Sequence, residues 1–115
     1  MERNRKDGYP FGLVAVDDVD GVVGHAGLSR TSFGSQSTDD GPWLIGLCVA
    51  ASRRKEGIGQ ALVIGAENAA LAQGACQIFA TTREAENLLL RNGWHGLRAV
   101  KDDTATWQVL AKKLV

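Results

Sequence analysis

The sequence has no run of about 18 uninterrupted apolar residues, so nothing in it is expected to cross a bilayer as a helix. It has no excess of charge either. The 13 Lys and Arg residues match the 13 Asp and Glu residues, so no field of the whole molecule draws nucleic acid or an anionic membrane. Aromatics are scarce: three Trp, three Phe and one Tyr leave little for stacking on bases. Lys112-Lys113 is too short for a nucleic-acid patch. Of the two cysteines, Cys48 and Cys76, each lies in an apolar run and reads as a buried free thiol. Together with His25 and His95 they have no metal-ligand spacing, so no metal is expected. The charged start, Met1 to Asp7, is not followed by an apolar stretch of the signal-peptide kind, which points to the cytoplasm.

What is abundant is glycine, 14 of 115 residues against two prolines. That balance suggests tight turns and close backbone approaches rather than a linker. With 44 % hydrophobic and 23 % charged residues the chain falls in the globular range. Its length suits one domain, 1–115, that buries roughly two-thirds of its unfolded surface. Residues 1–10 read as an N-terminal stub.

Apolar runs at Phe11–Val16 and Val22–Leu28 flank an Asp-Gly step, the pattern of an antiparallel hairpin. Arg30–Pro42 is polar and rich in Gly and Ser, a loop of a length that is usually functional or mobile. Trp43–Ala50 is nearly all apolar, as a strand covered on both faces should be, and Gly46 inside it suggests a bulge. A helix follows, with Ile58, Ala61, Leu62, Gly65, Ala66 and Ala69 on one small-residue face. Gly65 costs that helix about 1 kcal/mol against alanine, which close packing on a sheet offsets. Cys76–Ala80 is a short strand, and Thr81 to Glu84 has capping-box spacing before a helix at Ala85–Arg91. Trp94–Val100 and Thr104–Leu110 form a last hairpin, the second strand half-buried. Trp43, Trp94 and Trp107 read as core. The expected fold is α/β of the α+β type: one mixed, mostly antiparallel sheet with two helices, in the order β-β-β-α-β-α-β-β.

The chemistry concentrates at Arg54-Lys55-Glu56-Gly57-Ile58-Gly59, between an apolar strand and a long helix. A glycine-rich turn into a helix leaves backbone N–H groups unpaired at the positive end of the helix dipole. Arg53, Arg54 and Lys55 add cations, and Gly57 and Gly59 remove side chains that would block a ligand. Such a turn suits a phosphate or pyrophosphate; it also suits a plain helix cap with solvated arginines. A P-loop would need a lysine after the second glycine, and Lys55 precedes both. A dinucleotide fingerprint would need a third glycine, and Leu62 stands there.

Leu47-Cys48-Val49 followed by Arg54 to Leu62 resembles the acetyl-CoA motif of the GNAT superfamily of N-acetyltransferases. The order of the later elements and Asn92-Gly93-Trp94, where that family has x-Gly-Phe, fit the same pattern over roughly residues 11–114. The resemblance implies that the amides of Arg54, Lys55, Glu56, Gly57, Ile58, Gly59 and Gln60 cradle the CoA pyrophosphate. It implies that main-chain groups of Leu47, Cys48 and Val49 pair with the pantetheine arm where two strands splay apart. Thr82 stands where many members have an asparagine that contacts the pantetheine.

The resemblance also implies an activity: acetyl-CoA-dependent transfer of an acetyl group to a primary amine of a small molecule or peptide, by direct attack. The departures are equally definite. Leu89 stands where members carry a tyrosine acid, and Trp43–Val49 holds no carboxylate where members carry a glutamate base. The candidates that remain for proton transfer are His25, in the hairpin, and Asp40, beside the long loop; each also reads as an ordinary surface group. Asp39, His95 and Tyr9 read as solvated, exposed and part of the stub. The usual first strand and two helices are absent from the pattern, which suggests a homodimer that supplies the missing wall. The alternative reading is a catalytically degenerate acyl-CoA-binding or interaction module.

Overall fold

The structure is a computed structural model in which residues 11–115 are described; the stub and Tyr9 lie outside the described residues. Its first hairpin pairs β1 (Phe11–Asp17) with β2 (Gly21–Ser29). The Asp17 side chain accepts the Val19 and Asp20 N–H groups at 2.7 and 3.1 Å, an Asx turn, and Gly21 takes the left-handed conformation that ends it (φ 74°). Then come β3 (Trp43–Val49), α1 (Ile58–Ala72), β4 (Gln77–Thr82), α2 (Glu86–Arg91), β5 (His95–Lys101) and β6 (Thr106–Lys113). The sheet order is β1-β2-β3-β4-β6-β5, antiparallel throughout except for β3 and β4, which run parallel with α1 as their crossover. The expected order of elements and mixed sheet are as found.

Both helices pack on one face of the sheet. Leu62, Val63, Ala66 and Ala70 of α1 are buried there with Ala26, Leu28, Leu44, Ile78, Ala80, Leu89 and Leu110. The buried stripe is turned slightly from the expected one: Ala61 is exposed, and Val63 and Ala70 are inside, because α1 lies across β1 to β4. Gly65 earns its place by proximity, since a Cβ there would come within 2.8 Å of Leu13 Cδ1. One polar group is buried among these residues. Glu67 accepts the Trp94 Nε1–H and a Lys112 Nζ–H, each at 2.8 Å, and so ties α1 to β6.

The opposite face carries a second, smaller core. Trp43 stacks on Phe79 with ring centroids 5.1 Å apart, and Val109 and Ala111 pack beside them. The loop 30–42 packs over this cluster, with Gly34 against Val100 and Val109 and Gly41 against Phe79. Thr81 Oγ1 donates to the Phe33 carbonyl, and Arg98 donates to Gly34 O at 2.7 Å and to the Asp39 carboxylate at 2.5 Å. Asp39 is therefore an ion-paired anchor with a side chain only 7 % exposed, not a solvated turn residue.

Desolvation raises the pKa of Asp39, but the hydrogen bonds from Arg98 and the Gln36 N–H outweigh it and hold the carboxyl below its usual range. A carboxylate held low stabilises the fold above about pH 4 and loses that contribution as pH falls through the lowered value. Asp39→Asn is thus expected to melt earlier than the parent chain near neutrality, with the gap closing on acidification below about pH 4. Melting curves across that range decide it; a gap that persists unchanged into strong acid refutes the role of the ion pair.

Three further expectations change. Thr81 does not cap α2: its β-branched side chain belongs to β4, where it pairs with Val109, and the Ala85 N–H is taken instead by Thr82 Oγ1 at 2.9 Å. Strand β6 is buried on both faces at Val109, Leu110 and Ala111, because Leu110 packs into the helix-side core and Val109 and Ala111 into the second core. Cys48 and Cys76 are exposed, since each points away from the two cores. Among the described residues no helix is long and apolar enough to cross a membrane.

Candidate functional site

The chain leaves β3 through a 3-10 turn, Ala51–Arg53, and reaches α1 by alternating conformations. Arg54 is extended, Lys55 is left-handed (φ 68°), and Gly57 is left-handed again (φ 84°) before Ile58 starts the helix. Lys55 is the one non-glycine residue with positive φ among the described residues. A strained position of this kind costs about 1–3 kcal/mol and is kept where the surroundings hold it for function. The first intrahelical bond joins the Ala61 N–H to Gly57 O at 3.0 Å, and no side chain caps the helix. The N–H groups of Ile58, Gly59 and Gln60 therefore point out of the helix start without intrahelical acceptors. They sit at the positive end of a 15-residue helix, an arrangement that favours an anion.

The three cations before Gly57 have different duties. Arg53 is engaged within the protein: it donates at 2.9 Å to each of Asp17, Asp20 and Glu56. Its bonds to Glu56 and then Asp17 keep it even more firmly protonated than a free arginine. Arg53 thereby fastens this loop to the β1–β2 turn and neutralises the Glu56 charge. Arg54 and Lys55 are exposed and have no ion pair among the described residues. The glycines divide the work too. A Cβ on Gly57 would meet nothing within 4 Å, so its torsion requires glycine; a Cβ on Gly59 would lie 3.2 Å from Leu88 Cδ2, so its smallness seats α1 against α2.

Beside this loop the sheet comes apart. Strands β3 and β4 pair only at Trp43 with Phe79 and Leu44 with Ala80. Gly46 then turns left-handed (φ 62°), the ladder to β2 slips between His25 and Gly27, and the rest of β3 diverges. Backbone groups of both strands that would have paired face a cleft of about 460 Å³. Gly46 and Leu47 line it from β3, Ala80, Thr81 and Thr82 from β4, and Leu89 from α2. The glycine in β3 marks the bulge that its sequence position suggested.

The sequence candidates fall into two groups. Leu47 and Thr82 line the cleft, whereas Arg54 to Gln60 form the turn into α1 and are not among its lining residues, Gly59 lying against Val49 and Leu88. Cys48 and Val49 continue β3 beyond the lining, Cys48 opposite His25. His25 is exposed on β2 and does not line the cleft, although its Nδ1 would lie 3.9 Å from a Cβ on Gly46. Asp40 is at the other end of β3, where its carbonyl accepts the Gln77 side chain at 2.9 Å, outside the cleft. Leu89, 1 % exposed, closes the back wall and has no proton to give.

Sequence reading missed Arg83, Glu84 and Trp107, all of which line the same cleft. In the sequence Glu84 reads as part of a capping box and Trp107 as core. The usable signal was their position: polar residues directly after a parallel strand's carboxyl end, where ligands in open sheets bind. Among the described residues no cluster of His, Cys, Asp or Glu could hold a metal ion.

Residues 1–93 match the sequence model of the acetyltransferase (GNAT) family. No curated protein matches the chain. Among solved structures, an aminoglycoside 6'-N-acetyltransferase complexed with coenzyme A superposes with a TM-score of 0.76 at 19 % identity, over 90 % of this chain and 72 % of that one. The aminoglycoside 6'-N-acetyltransferase from Enterococcus faecium gives 0.74 at 20 % identity, over 90 % and 74 %. An acetyltransferase from Bacillus cereus gives 0.71 at 19 %, over 89 % and 71 %. The fold, the open helix start and the parted parallel strands thus agree with the sequence match, and the chain belongs to the acetyltransferase (GNAT) family.

Proposed function

We propose that the chain is an acetyl-CoA-dependent N-acetyltransferase that moves an acetyl group onto a primary amine of a small molecule or peptide by direct attack. The observation that carries this reading is the conjunction of two unsatisfied sets of backbone groups: the helix-start N–H groups of Ile58 to Gln60 and the parted edges of β3 and β4. The first suits a pyrophosphate, and the second suits an extended amide-containing arm that adds to a strand edge. Acetyl-CoA, when bound, supplies the thioester.

The amides of Arg54 to Gln60 hold the pyrophosphate, with Arg54 and Lys55 adding charge at the rim. Leu47, Cys48 and Val49 offer main-chain partners along one edge of the gap. Thr82 keeps its hydroxyl proton free to donate into the cleft while its oxygen accepts the Ala85 N–H. The chain's main contribution is to place an amine and a thioester in line, the effect that gives the largest share of such a rate. Leu89 donates nothing, so a factor of about 10²–10⁴ from general acid catalysis is missing and turnover is slow.

In this reading the chain works in the cytoplasm as a homodimer, without nucleic-acid or membrane partners. Support for the dimer comes from the hairpin, where Val14, Val16 and Val22 stand exposed on one region of the sheet.

Acetyl-CoA at about a hundred times its dissociation constant should stabilise the fold by about 2.7 kcal/mol, a rise of roughly 10 °C in the melting temperature. No shift with any CoA ester removes the proposal. A second reading, a non-catalytic acyl-CoA-binding module, draws on Leu89 and on the lack of a carboxylate in β3. It predicts the same thermal shift but no release of CoA thiol with any amine; release with one amine ends it.

A further inference from the structure

The cleft is lined from both faces of the sheet, with Leu89 of α2 on the helix face. Trp107 lies on the other face, since it alternates with Val109 and Ala111 of the second core while Leu110 points to the helices. We propose that the Trp107 side of the cleft is the acceptor subsite and that it takes a primary amine bearing a carboxylate, of the free α-amino acid class. Arg83 receives the carboxylate and Glu84 the ammonium. The inference rests on the N-acetyltransferase reading and sharpens its acceptor.

Arg83 is held ready for an anion. Its guanidinium lies 5.4 Å above the Trp107 ring, and that ring is fixed from two sides. The Trp107 Nε1–H donates to Asp102 at 3.0 Å, and Phe33 meets the indole edge-on at 6.0 Å. Asp102 is itself locked by the Thr104 N–H and hydroxyl at 2.8 Å and the Ala105 N–H at 2.9 Å. A guanidinium laid on an aromatic face keeps its in-plane donors, which match a carboxylate in two parallel bonds. Among the described residues those donors have no hydrogen-bond or ion-pair partner.

Glu84 follows directly and also lines the cleft, the one carboxylate among its described lining residues, likewise without a partner. A cation and an anion side by side, both unpaired, complement a zwitterion. A polycationic acceptor would bring its charges against Arg83 with one carboxylate to balance them, and a simple alkylamine would leave Arg83 without its anion.

The test follows CoA thiol release by the intact chain with acetyl-CoA and each proteinogenic amino acid, each amino acid's decarboxylated counterpart, and spermidine. The expected result is acetylation of at least one amino acid with kcat/KM about tenfold or more above its decarboxylated counterpart and above spermidine. Arg83→Ala should erase that preference by raising the amino acid's KM, and Arg83→Lys should restore part of it. The melting temperature should fall by no more than a few degrees, the cost of the exposed contact with Trp107, and an acetyl-CoA thermal shift should persist. Glu84→Gln should raise KM for amines with and without a carboxylate. Equal or better use of decarboxylated amines or spermidine, an intact preference in Arg83→Ala, or no turnover of any amino acid by a chain that binds acetyl-CoA overturns the subsite. Failure of the parent chain to bind acetyl-CoA is a different outcome, and brings down the underlying function with it.

Discussion

Gly57→Glu is expected to abolish acetyl-CoA binding and to leave the chain folded. Two facts make both halves of that result expected. A side chain at Gly57 meets no atom within 4 Å, so the fold loses only the cost of a non-glycine residue at φ 84°. That cost is about 1–2 kcal/mol, against a total stability of about 5–15 kcal/mol. The new carboxylate, however, stands at the start of α1, where it can accept the N–H groups of Ile58 to Gln60 and places a negative charge where a pyrophosphate must sit. The melting temperature should fall by a few degrees, and the rise of roughly 10 °C with acetyl-CoA should vanish. Gly57→Asn is the control: asparagine tolerates the left-handed region and brings no charge, so it should retain most of the shift. A folded Gly57→Glu chain with the full shift would place the pyrophosphate elsewhere.

That loop was legible because its signal is local. Left-handed turns demand glycine, a helix start exposes its N–H groups, and both are decided within the eight residues from Arg53 to Gln60. The hairpin turn at Asp17–Gly21 and the bulge at Gly46 were readable for the same reason. What escaped were pairings between distant residues. Arg98 and Asp39 are 59 positions apart, and only the closure of the second core brings them together. Glu67 of α1, Trp94 just before β5 and Lys112 of β6 form their network across 27 and 45 positions of the chain. Thr81 shows a local signal losing to a tertiary one: its capping spacing was sound, but the ladder to β6 claimed it for the strand. The far wall of the cleft escaped likewise, since Arg83 meets Trp107 only through the β4–β6 pairing.

Trp43→Ala is expected to damage fold and cleft together. Trp43 is fully buried, stacked on Phe79 at 5.1 Å with 24° between the rings, and it heads the second core. Truncating a buried Trp costs about 3–5 kcal/mol, a large part of the stability of a domain this size and a fall of roughly 15 °C in melting temperature. Trp107→Ala, at the cleft mouth, should cost far less by the same measurement of urea or thermal unfolding. A loss under about 1 kcal/mol for Trp43→Ala would mean that the cluster beneath loop 30–42 contributes no core. The consequence for binding follows from position. Trp43 and Phe79 are one of the two residue pairs that join β3 to β4, so their stack closes the end of the cleft from which the strands diverge. Removing the indole frees that closed end, and the two edges lose their fixed spacing. Acetyl-CoA affinity measured at a temperature where the variant is still folded should therefore fall as well. Affinity retained beside a large loss of stability would show that the Gly46 bulge alone sets the splay, and that the second core only holds the loop above it.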